Sequence, residues 1–501
     1  MKNKLSKYNL PIWLTIILLV VLILRIPSFF EPYSYGDEMI YLTLGQGVRQ
    51  GIPLYSGLHD NKPPLLYITA AIAGNLFWFK AILAVWSLAT ITAFWKLVGA
   101  LFPKNQRLHF FSVAVFAVLT TIPLLEGNIA NAENFMIGPT IVAFYLILTK
   151  KSLKSVFLSG VLFSIATLFK IPAAFEVPVV IFYWLIGIKS FDKSEIIKLA
   201  KKTIVLSSGF LLPILLTFIW YFFQGALKQY FIAAFAQNFG YVSSWRPGDV
   251  QKPFLEKNAP LLIRGLIVFS ISLFIFLKRK LYSKQFALAS VWLLFALFAV
   301  TLSERPYPHY LLQTVPSISI LVSMLIGISN YEQVLVLLPL SLSFFVPVYY
   351  HFWHYSTTVY YERFINLSLG KINKPDYLKT FGDQIPINYQ VSEFLISSTK
   401  PTDKIFVWGD TSTIYAQTKR LPPIKYVADY HIRDFSSDSE LIDKLNANKP
   451  EFIVILPNSN PPSQLISFIT KNYGLAEQIS NTNIWRLLNP KLRILLNSKK
   501  T

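Results

Sequence analysis

The chain has 501 residues, of which 53% are hydrophobic, 16% aromatic and only 15% charged. Soluble domains carry about 25% charged residues, so this composition excludes an ordinary soluble protein and predicts an integral membrane protein. The net charge is +21, but the basic residues cluster between apolar runs, which is typical of loops at a lipid surface and argues against nucleic-acid binding. The chain has no cysteine, which excludes disulfides, thiol catalysis and cysteine-ligated metals.

Long apolar runs recur along the first 350 residues. Several are near the roughly 20 residues that a helix needs to cross a bilayer. The first is interpreted as a retained span, because it has no small-x-small cleavage site and is longer than an ordinary signal-peptide core. The predicted spans number about eleven and lie near 10–30, 80–101, 108–125, 135–149, 155–172, 174–188, 203–223, 260–277, 286–302, 309–328 and 333–350.

The basic loops set the predicted orientation. Segments 1–9, 96–107, 150–154, 189–202 and 278–284 are rich in Lys and Arg. All of them face the cytoplasm if 64–79 is an interfacial helix and not a span. We therefore expect a multi-pass protein of the cell membrane with a cytoplasmic N-terminus. Its outer regions are then 31–79, 126–134, 224–259, 303–308 and the chain after about 351.

The region 351–501 has a different composition and is predicted to be a small extracytoplasmic α/β domain. KIFVWG (404–409) and EFIVIL (451–456) are typical of short buried strands. Helical patterns at 387–399, 438–447 and 462–473 alternate with them. The predicted fold class is thus an α-helical polytopic membrane domain over 1–350 followed by this α/β domain.

Charged residues gather in the predicted outer loops. Charge at membrane depth is costly and usually faces a cavity or a pathway, so we expect one outward cleft that collects them. A carboxylate that takes a proton from a hydroxyl, together with cations that stabilise a departing phosphate, suits sugar transfer from a polyprenyl phosphate. The residues are Asp37 and Glu38, then His59, Asp60 and Lys62, then Glu126, Glu133 and Asn134, then Lys170, and finally Glu304, Arg305 and His309.

The first outer loop, GDEMIYLTLGQGVRQGIPLYSGLHDNKPPLLYITAAIAG, contains an acidic pair, an amphipathic helix pattern and a K-P-P-L-x-Y element. It resembles the same loop in the protein O-mannosyltransferase and aminoarabinose transferase superfamily, whose bacterial and archaeal family 39-like members have the GT-C fold. The similarity extends from residue 10 to about 350, through a second-loop acid and a late Arg…His-Tyr element. It implies about 11 transmembrane helices, with juxtamembrane helices in the first outer loop.

The resemblance also implies an activity and residue roles. The family transfers a sugar from a polyprenyl-phosphate donor to a protein, lipid or glycan acceptor on the outer face, with inversion at the sugar carbon. Whether the acidic pair binds Mg²⁺ or Mn²⁺ stays open, and no metal ligand is predicted. The implied general base is Asp37, with Glu38 beside it and Glu133 as the second-loop acid; the candidates for the donor phosphate and its pocket are His59, Asp60, Lys62, Lys170, Arg305, His309 and Tyr310.

Other interpretations of these charges stay open. A transporter or lipid flippase would also use charges in a membrane protein, although no inverted repeat is evident and the charges gather at one face. A non-catalytic scaffold is a third hypothesis. Each lysine also has an alternative explanation: snorkelling to the interface for Lys62, and an ion pair with Glu176 for Lys170. The spacing of His351 and His354 is assigned to an aromatic interface belt.

Overall fold

The computed structural model describes residues 10–238 and 253–489. The predicted basic segment 1–9 and the part of the predicted outer region at 239–252 lie outside the described residues. The chain divides into two compact units. The first contains the chain up to Ser28, Lys80–Phe223 and Ala234–Thr357, and the second contains Phe29–Phe79, Gln224–Ala233 and the chain from Thr358. The domain boundary expected at residue 350 stays a prediction.

Helices make up most of the described chain before residue 350. In chain order they are α1 (Ile12–Arg25), α2 (Gly36–Arg49), α3 (Leu65–Ala73), α4 (Leu76–Leu101), α5 (Gln106–Leu119), α6 (Ala132–Thr149), α7 (Leu153–Phe169), α8 (Val177–Ile186), α9 (Lys193–Phe223), α10 (Leu227–Phe231), α11 (Phe254–Leu277), α12 (Lys284–Val300), α13 (Val315–Gly327), α14 (Glu332–Leu335) and α15 (Leu337–Tyr349). Tighter 3₁₀ turns occur at Ile26–Phe30, Pro123–Leu125, Ile171–Glu176 and Pro308–Thr314, and a π-helical turn at Ile232–Ala236.

Each predicted apolar segment overlaps one of these helices, which confirms a polytopic helical fold. Within the described ranges, seven helices are long and apolar enough to cross a membrane. Four more apolar helices are shorter, at Gln106–Leu119, Leu153–Phe169, Ile171–Ile186 and Lys284–Val300. The number of helices that cross a bilayer, and the side on which each loop lies, stay predictions.

Close helix packing in the first unit depends on two glycines. A Cβ atom added at Gly160 of α7 would overlap the backbone carbonyl oxygen of Leu206 in α9. One added at Gly209 of α9 would overlap the carbonyl oxygen of Phe157 in α7. Small residues at such positions let two helix backbones approach closely, which is how helices associate where lipid offers no hydrophobic driving force.

The second unit contains two short helices from the first loop, α2 and α3. Gly45 of α2 brings the two together, since a Cβ there would lie 2.6 Å from the backbone nitrogen of Ala71 in α3. The helix expected over 64–79 is shorter than predicted: α3 ends at Ala73, and Gly74 follows with a φ of 71°. Such a left-handed glycine is a common helix end. With nine residues, α3 is much too short to span a bilayer as a helix.

The remainder of the second unit is a small α/β structure. Its elements are α16 (Thr357–Ser368), α17 (Lys374–Lys379), α18 (Gln384–Ser398), β1 (Ile405–Trp408), α19 (Thr413–Thr418), α20 (Asp429–Phe435), α21 (Asp438–Ala447), β2 (Phe452–Ile455), α22 (Ser463–Asn472), β3 (Tyr473–Ile479) and β4 (Thr482–Leu487). The sheet order is β1-β2-β4-β3. β1 and β2 pair in parallel, with Phe406 opposite Ile453, and the other two pairings are antiparallel.

The two predicted strands are confirmed and form the centre of this unit's core. β1 is buried along its whole length, and three of the four residues of β2 are buried. Leu441 and Leu445 of α21 and Leu465 and Phe468 of α22 pack in the same apolar cluster as the strands. The α/β character follows from this alternation of buried strands and amphipathic helices.

Candidate active site

Asp37 lies in the first turn of α2, where a carboxylate interacts favourably with the helix dipole. The hydroxyl group of Tyr41, four residues later on the same helix face, donates a 2.8 Å hydrogen bond to Asp37 Oδ2. The Asp37 side chain is 36% exposed, whereas Glu38 is buried. The two neighbouring acids therefore have different environments, and Asp37 is the one that is accessible from solvent.

Lys62 connects the acidic helix start with the end of the same loop. Its Nζ atom lies 3.8 Å from Asp37 Oδ2 and 3.8 Å from Asp60 Oδ2. The ammonium group also lies 5.0 Å from the centroid of the Tyr41 ring, within the range of a cation–π contact. The structure thus brings Asp37, Asp60 and Lys62 together, as the sequence predicted.

Asp60 is buried and held by several donors. The Tyr67 hydroxyl donates to Oδ2 at 2.7 Å, and the backbone N–H of Asn61 donates to Oδ1 at 2.7 Å. Burial alone would raise the pKa of this carboxyl group, but Lys62 and these donors outweigh burial and hold its pKa below the ordinary value. Asp60 is therefore a fixed anion that positions Lys62.

His59 packs among aromatic rings of the α/β part of the unit. Its ring makes edge contacts with Tyr426, His431 and Phe435. Burial lowers the pKa of His59 from 6.5 to about 4, against the opposing effect of Asp60. A neutral imidazole at physiological pH shapes this pocket but cannot bind a phosphate as a cation.

His431 joins this group and was missed from the sequence. Its Nε2 atom lies 3.9 Å from Asp60 Oδ1. Burial lowers the pKa of His431 as well. The two residues are separated by more than 370 positions in the chain, and no local motif marks the contact.

A second charged group lies in the first unit. Glu126 has a left-handed backbone, with a φ of 58°, which is uncommon for a residue other than glycine. Its Oε2 atom lies 2.5 Å from His309 Nδ1 and accepts a 3.0 Å hydrogen bond from the Asn131 side chain. Asn134 donates to the backbone carbonyl of Glu126 at 3.1 Å, so the loop's own side chains hold its shape.

Glu133, which is buried, and Lys170, which is half-buried, form an ion pair in this second group. Lys170 also lies over the Tyr310 ring, 3.7 Å from its centroid, and His309 Nε2 lies 3.9 Å from Glu133 Oε1. The alternative pairing of Lys170 with Glu176 is wrong. Glu176 instead accepts hydrogen bonds from Trp292 at 2.8 Å and Gln313 at 3.0 Å.

Two basic residues differ from expectation. Arg305 is exposed, whereas its neighbour Glu304 pairs with Arg264 at 3.2 Å. Lys80, a fully buried lysine in α4, was not predicted; its Nζ donates to the Asn128 carbonyl at 3.0 Å. Its sequence signal was a single lysine inside the apolar run LFWFKAILAVW.

The predicted site residues thus fall into two groups. Asp37, Glu38, His59, Asp60 and Lys62 belong to the second unit, and Glu133, Lys170, Arg305, His309 and Tyr310 belong to the first. That one cleft collects both groups stays a prediction. Over residues 10–238 and 253–489, no three His, Asp or Glu side chains are grouped so as to hold a metal ion.

Comparison with solved structures identifies the fold. The chain is similar to the structure of ArnT from Cupriavidus metallidurans bound to undecaprenyl phosphate, with a TM-score of 0.54, 13% identity, and coverage of 95% of this chain and 98% of that one. The apo form of the same protein matches with a TM-score of 0.53, 13% identity, and coverage of 94% and 97%. The chain has the GT-C fold. The fold expected from the first-loop motif is therefore confirmed.

Other comparisons are more limited. The oligosaccharyltransferase of Archaeoglobus fulgidus in its apo form matches with a TM-score of 0.43, 13% identity, and coverage of 88% of this chain and 69% of that one. Residues 388–487 match the family model of the putative competence-induced protein Ccs4 C-terminal domain. No curated protein matches the sequence.

The ion pair of Glu133 and Lys170 gives a stability prediction. Glu133→Gln and Lys170→Met should each lower the free energy of unfolding by about 3 kcal/mol, because each leaves a buried or half-buried charge without its partner. The free energy of unfolding of the double variant should fall by clearly less than the sum of the two single losses. Thermal unfolding of the purified protein in detergent measures all three variants. Additive losses would contradict a direct pair, and Lys150→Met, at an exposed lysine, is the control.

The buried His59 gives a pH prediction. Between pH 6.5 and about 4 the unfolded chain binds a proton at His59 that the folded chain does not bind. The free energy of unfolding should therefore fall as the pH is lowered through this range, by up to about 3 kcal/mol from this residue. His59→Gln should show a smaller fall in melting temperature between pH 7 and 4.5. The exposed His354→Gln should keep the full fall; equal pH dependence in His59→Gln and the parent would refute the assignment.

Proposed function

We propose that this chain is a glycosyltransferase that moves a sugar from a polyprenyl phosphate to an acceptor hydroxyl on the outer face of the cell membrane. The proposal rests on the position of Lys62 beside Asp37, a partly exposed carboxylate in the first loop. The shared fold with an ArnT structure that binds undecaprenyl phosphate supports it further.

Asp37 would act as the general base. In the proposed displacement, the acceptor oxygen forms a bond to the anomeric carbon while the bond from that carbon to the phosphate oxygen breaks. The proton of the acceptor hydroxyl goes to Asp37, and the polyprenyl phosphate leaves with the electron pair. The Tyr41 hydroxyl fixes the carboxylate orientation through Oδ2, which favours a single reactive geometry.

Lys62 would stabilise the phosphate as negative charge develops on it. The ammonium is placed before substrate arrives, because Asp60 is itself fixed by Tyr67 and the Asn61 N–H. The backbone of Lys62 is fixed too: its N–H donates to the Tyr67 hydroxyl at 3.2 Å, and its carbonyl accepts from Tyr55 at 2.9 Å. A cation held this way needs little reorganisation during the reaction.

The second charged group is proposed to contact the donor as well. A phosphate bound by Lys170 would share the ammonium with Glu133, and His309 would be oriented by Glu126. Arg305 is exposed and is proposed only for first contact with the anionic lipid.

Asp37→Asn tests the base assignment. The amide cannot accept the proton, so sugar transfer from a polyprenyl-phosphate donor should fall by about a hundredfold to ten-thousandfold. Transfer is measured with membranes that contain the full-length protein and radiolabelled donor. The matched control is Asp376→Asn, at another aspartate in a first helical turn of the same unit, which should keep full activity. A folded Asp37→Asn variant with more than half of the parent activity would rule out this role.

Lys62→Met tests the phosphate contact. Loss of a charge-assisted contact worth about 1.5–3 kcal/mol should weaken binding of undecaprenyl phosphate by roughly tenfold or more. Binding is measured by microscale thermophoresis of the protein in detergent. Lys371→Met, at an exposed lysine of the same unit, should bind like the parent. Unchanged affinity in Lys62→Met would count against the contact.

A further inference from the structure

A cavity in the second unit is lined by residues that the proposed transfer reaction does not use. Its volume is about 430 Å³, which is within the usual range for small-molecule sites, about 300–1,000 Å³. One wall is the loop between α2 and α3, through Ile52 and Leu58. The opposite wall comes from the α/β part of the same unit and includes Pro422 and Pro423.

Three lysines line this cavity, and no acidic residue does. They are Lys404, just before β1, Lys425, before α20, and Lys444 of α21; together with the cavity they are called the lysine pocket. Lys444 pairs with Glu440 at 2.5 Å. In the part of the chain that the structure describes, no carboxylate lies within ion-pair distance of Lys404 or Lys425.

This arrangement has an electrostatic cost for the empty protein. Partial burial lowers the pKa of Lys404. Burial and then the nearby charge of Lys444 lower the pKa of Lys425, and the carboxylate of Glu440 opposes these effects only in part. Like charges that are partly removed from water destabilise one another, and a bound anion would relieve both effects. Lys62 of the same unit differs, since its ammonium group lies near two aspartates.

The walls of the cavity indicate what else the ligand carries. Ile52, Leu58, Pro422 and Pro423 present apolar faces, whereas Ser56 and Asn448 add hydrogen-bonding side chains. A sugar ring has apolar faces and hydroxyl edges, so it suits such a mixed lining better than a bare ion or a lipid tail does.

We propose that the lysine pocket binds an anionic sugar, whose phosphate or carboxylate group pairs with Lys404 and Lys425. The binding itself needs no transfer chemistry. The pocket is nevertheless connected to the first loop: Leu58 lines the pocket, and the next residue, His59, donates its backbone N–H to the Lys425 carbonyl at 2.8 Å. The pocket therefore places an acidic glycan beside the loop that contains Asp60 and Lys62.

Direct binding to the full-length protein in detergent tests the proposal. Four probes are titrated: glucose 6-phosphate, glucuronate, uncharged glucose and inorganic phosphate. The affinity of each is measured by isothermal titration calorimetry. We expect glucose 6-phosphate or glucuronate to bind, and whichever binds identifies the anion as phosphate or carboxylate. Glucose should bind at least tenfold more weakly than that probe. Equal affinity for inorganic phosphate and the sugar phosphate would overturn the sugar assignment, and no binding of either acidic sugar would overturn the site.

Variants locate the binding. The double substitution Lys404→Gln and Lys425→Gln should weaken binding of the acidic sugar at least tenfold, about 1.4 kcal/mol. Lys371→Gln removes an exposed lysine elsewhere in the unit and should have no effect. The double variant should melt close to the parent without ligand, because the loss of repulsion between Lys425 and Lys444 is offset by the loss of attraction between Lys425 and Glu440. If the double variant folds poorly, the single variants Lys425→Arg and Lys425→Gln are compared instead. Retained binding in Lys425→Arg with weakened binding in Lys425→Gln supports the pocket. Equal binding in the two variants refutes it.

Discussion

The candidate active site depends on one ammonium group held between two carboxylates. Lys62 Nζ is equally distant, 3.8 Å, from Asp37 in the first turn of α2 and from the buried Asp60. Asp37 and Asp60 are 23 positions apart in sequence, and this cation prevents the two acids from repelling each other. Without Lys62, Asp60 would be a buried anion stabilised only by its hydrogen bonds and the nearby His431, which is a costly state.

The surrounding tyrosines explain why this arrangement is rigid. Tyr67 of α3 contacts both the Asp60 side chain and the Lys62 N–H, so the start of α3 and the charged turn before it move together. Pro63 and Pro64 come directly before α3, a position where proline suits the first helical turn. Gly45 then allows α2 to lie against α3. The close packing of two short helices therefore sets the geometry between Asp37 and Lys62.

Features encoded locally were predictable from the sequence, and contacts between distant segments were not. The order of parts in the first loop, the apolar helices and strands β1 and β2 all have local periodicity or motifs. β3 and β4 were missed because most of β3 is exposed and lacks a buried apolar run. Lys170 was assigned the wrong alternative partner because sequence proximity favoured Glu176. The 3₁₀ turn Ile171–Glu176 separates the two, and Glu176 lies with Trp292 and Gln313 instead.

The balance of charges distinguishes the sites from one another. In both groups of predicted site residues, cations have carboxylates nearby: Lys62 with two aspartates, and Lys170 with Glu133. A nearby carboxylate lowers the electrostatic free energy of the unliganded site. It also weakens the attraction of the site for any anion, so a ligand must fit the geometry as well as the charge. Among the described residues, no carboxylate lies within ion-pair distance of Lys404 or Lys425, so we expect the lysine pocket to recognise charge more directly. A transferase that acts on an acidic glycan would benefit from both kinds of site. The lysine pocket would attract the glycan by charge, and the neighbouring reaction site would select it by geometry.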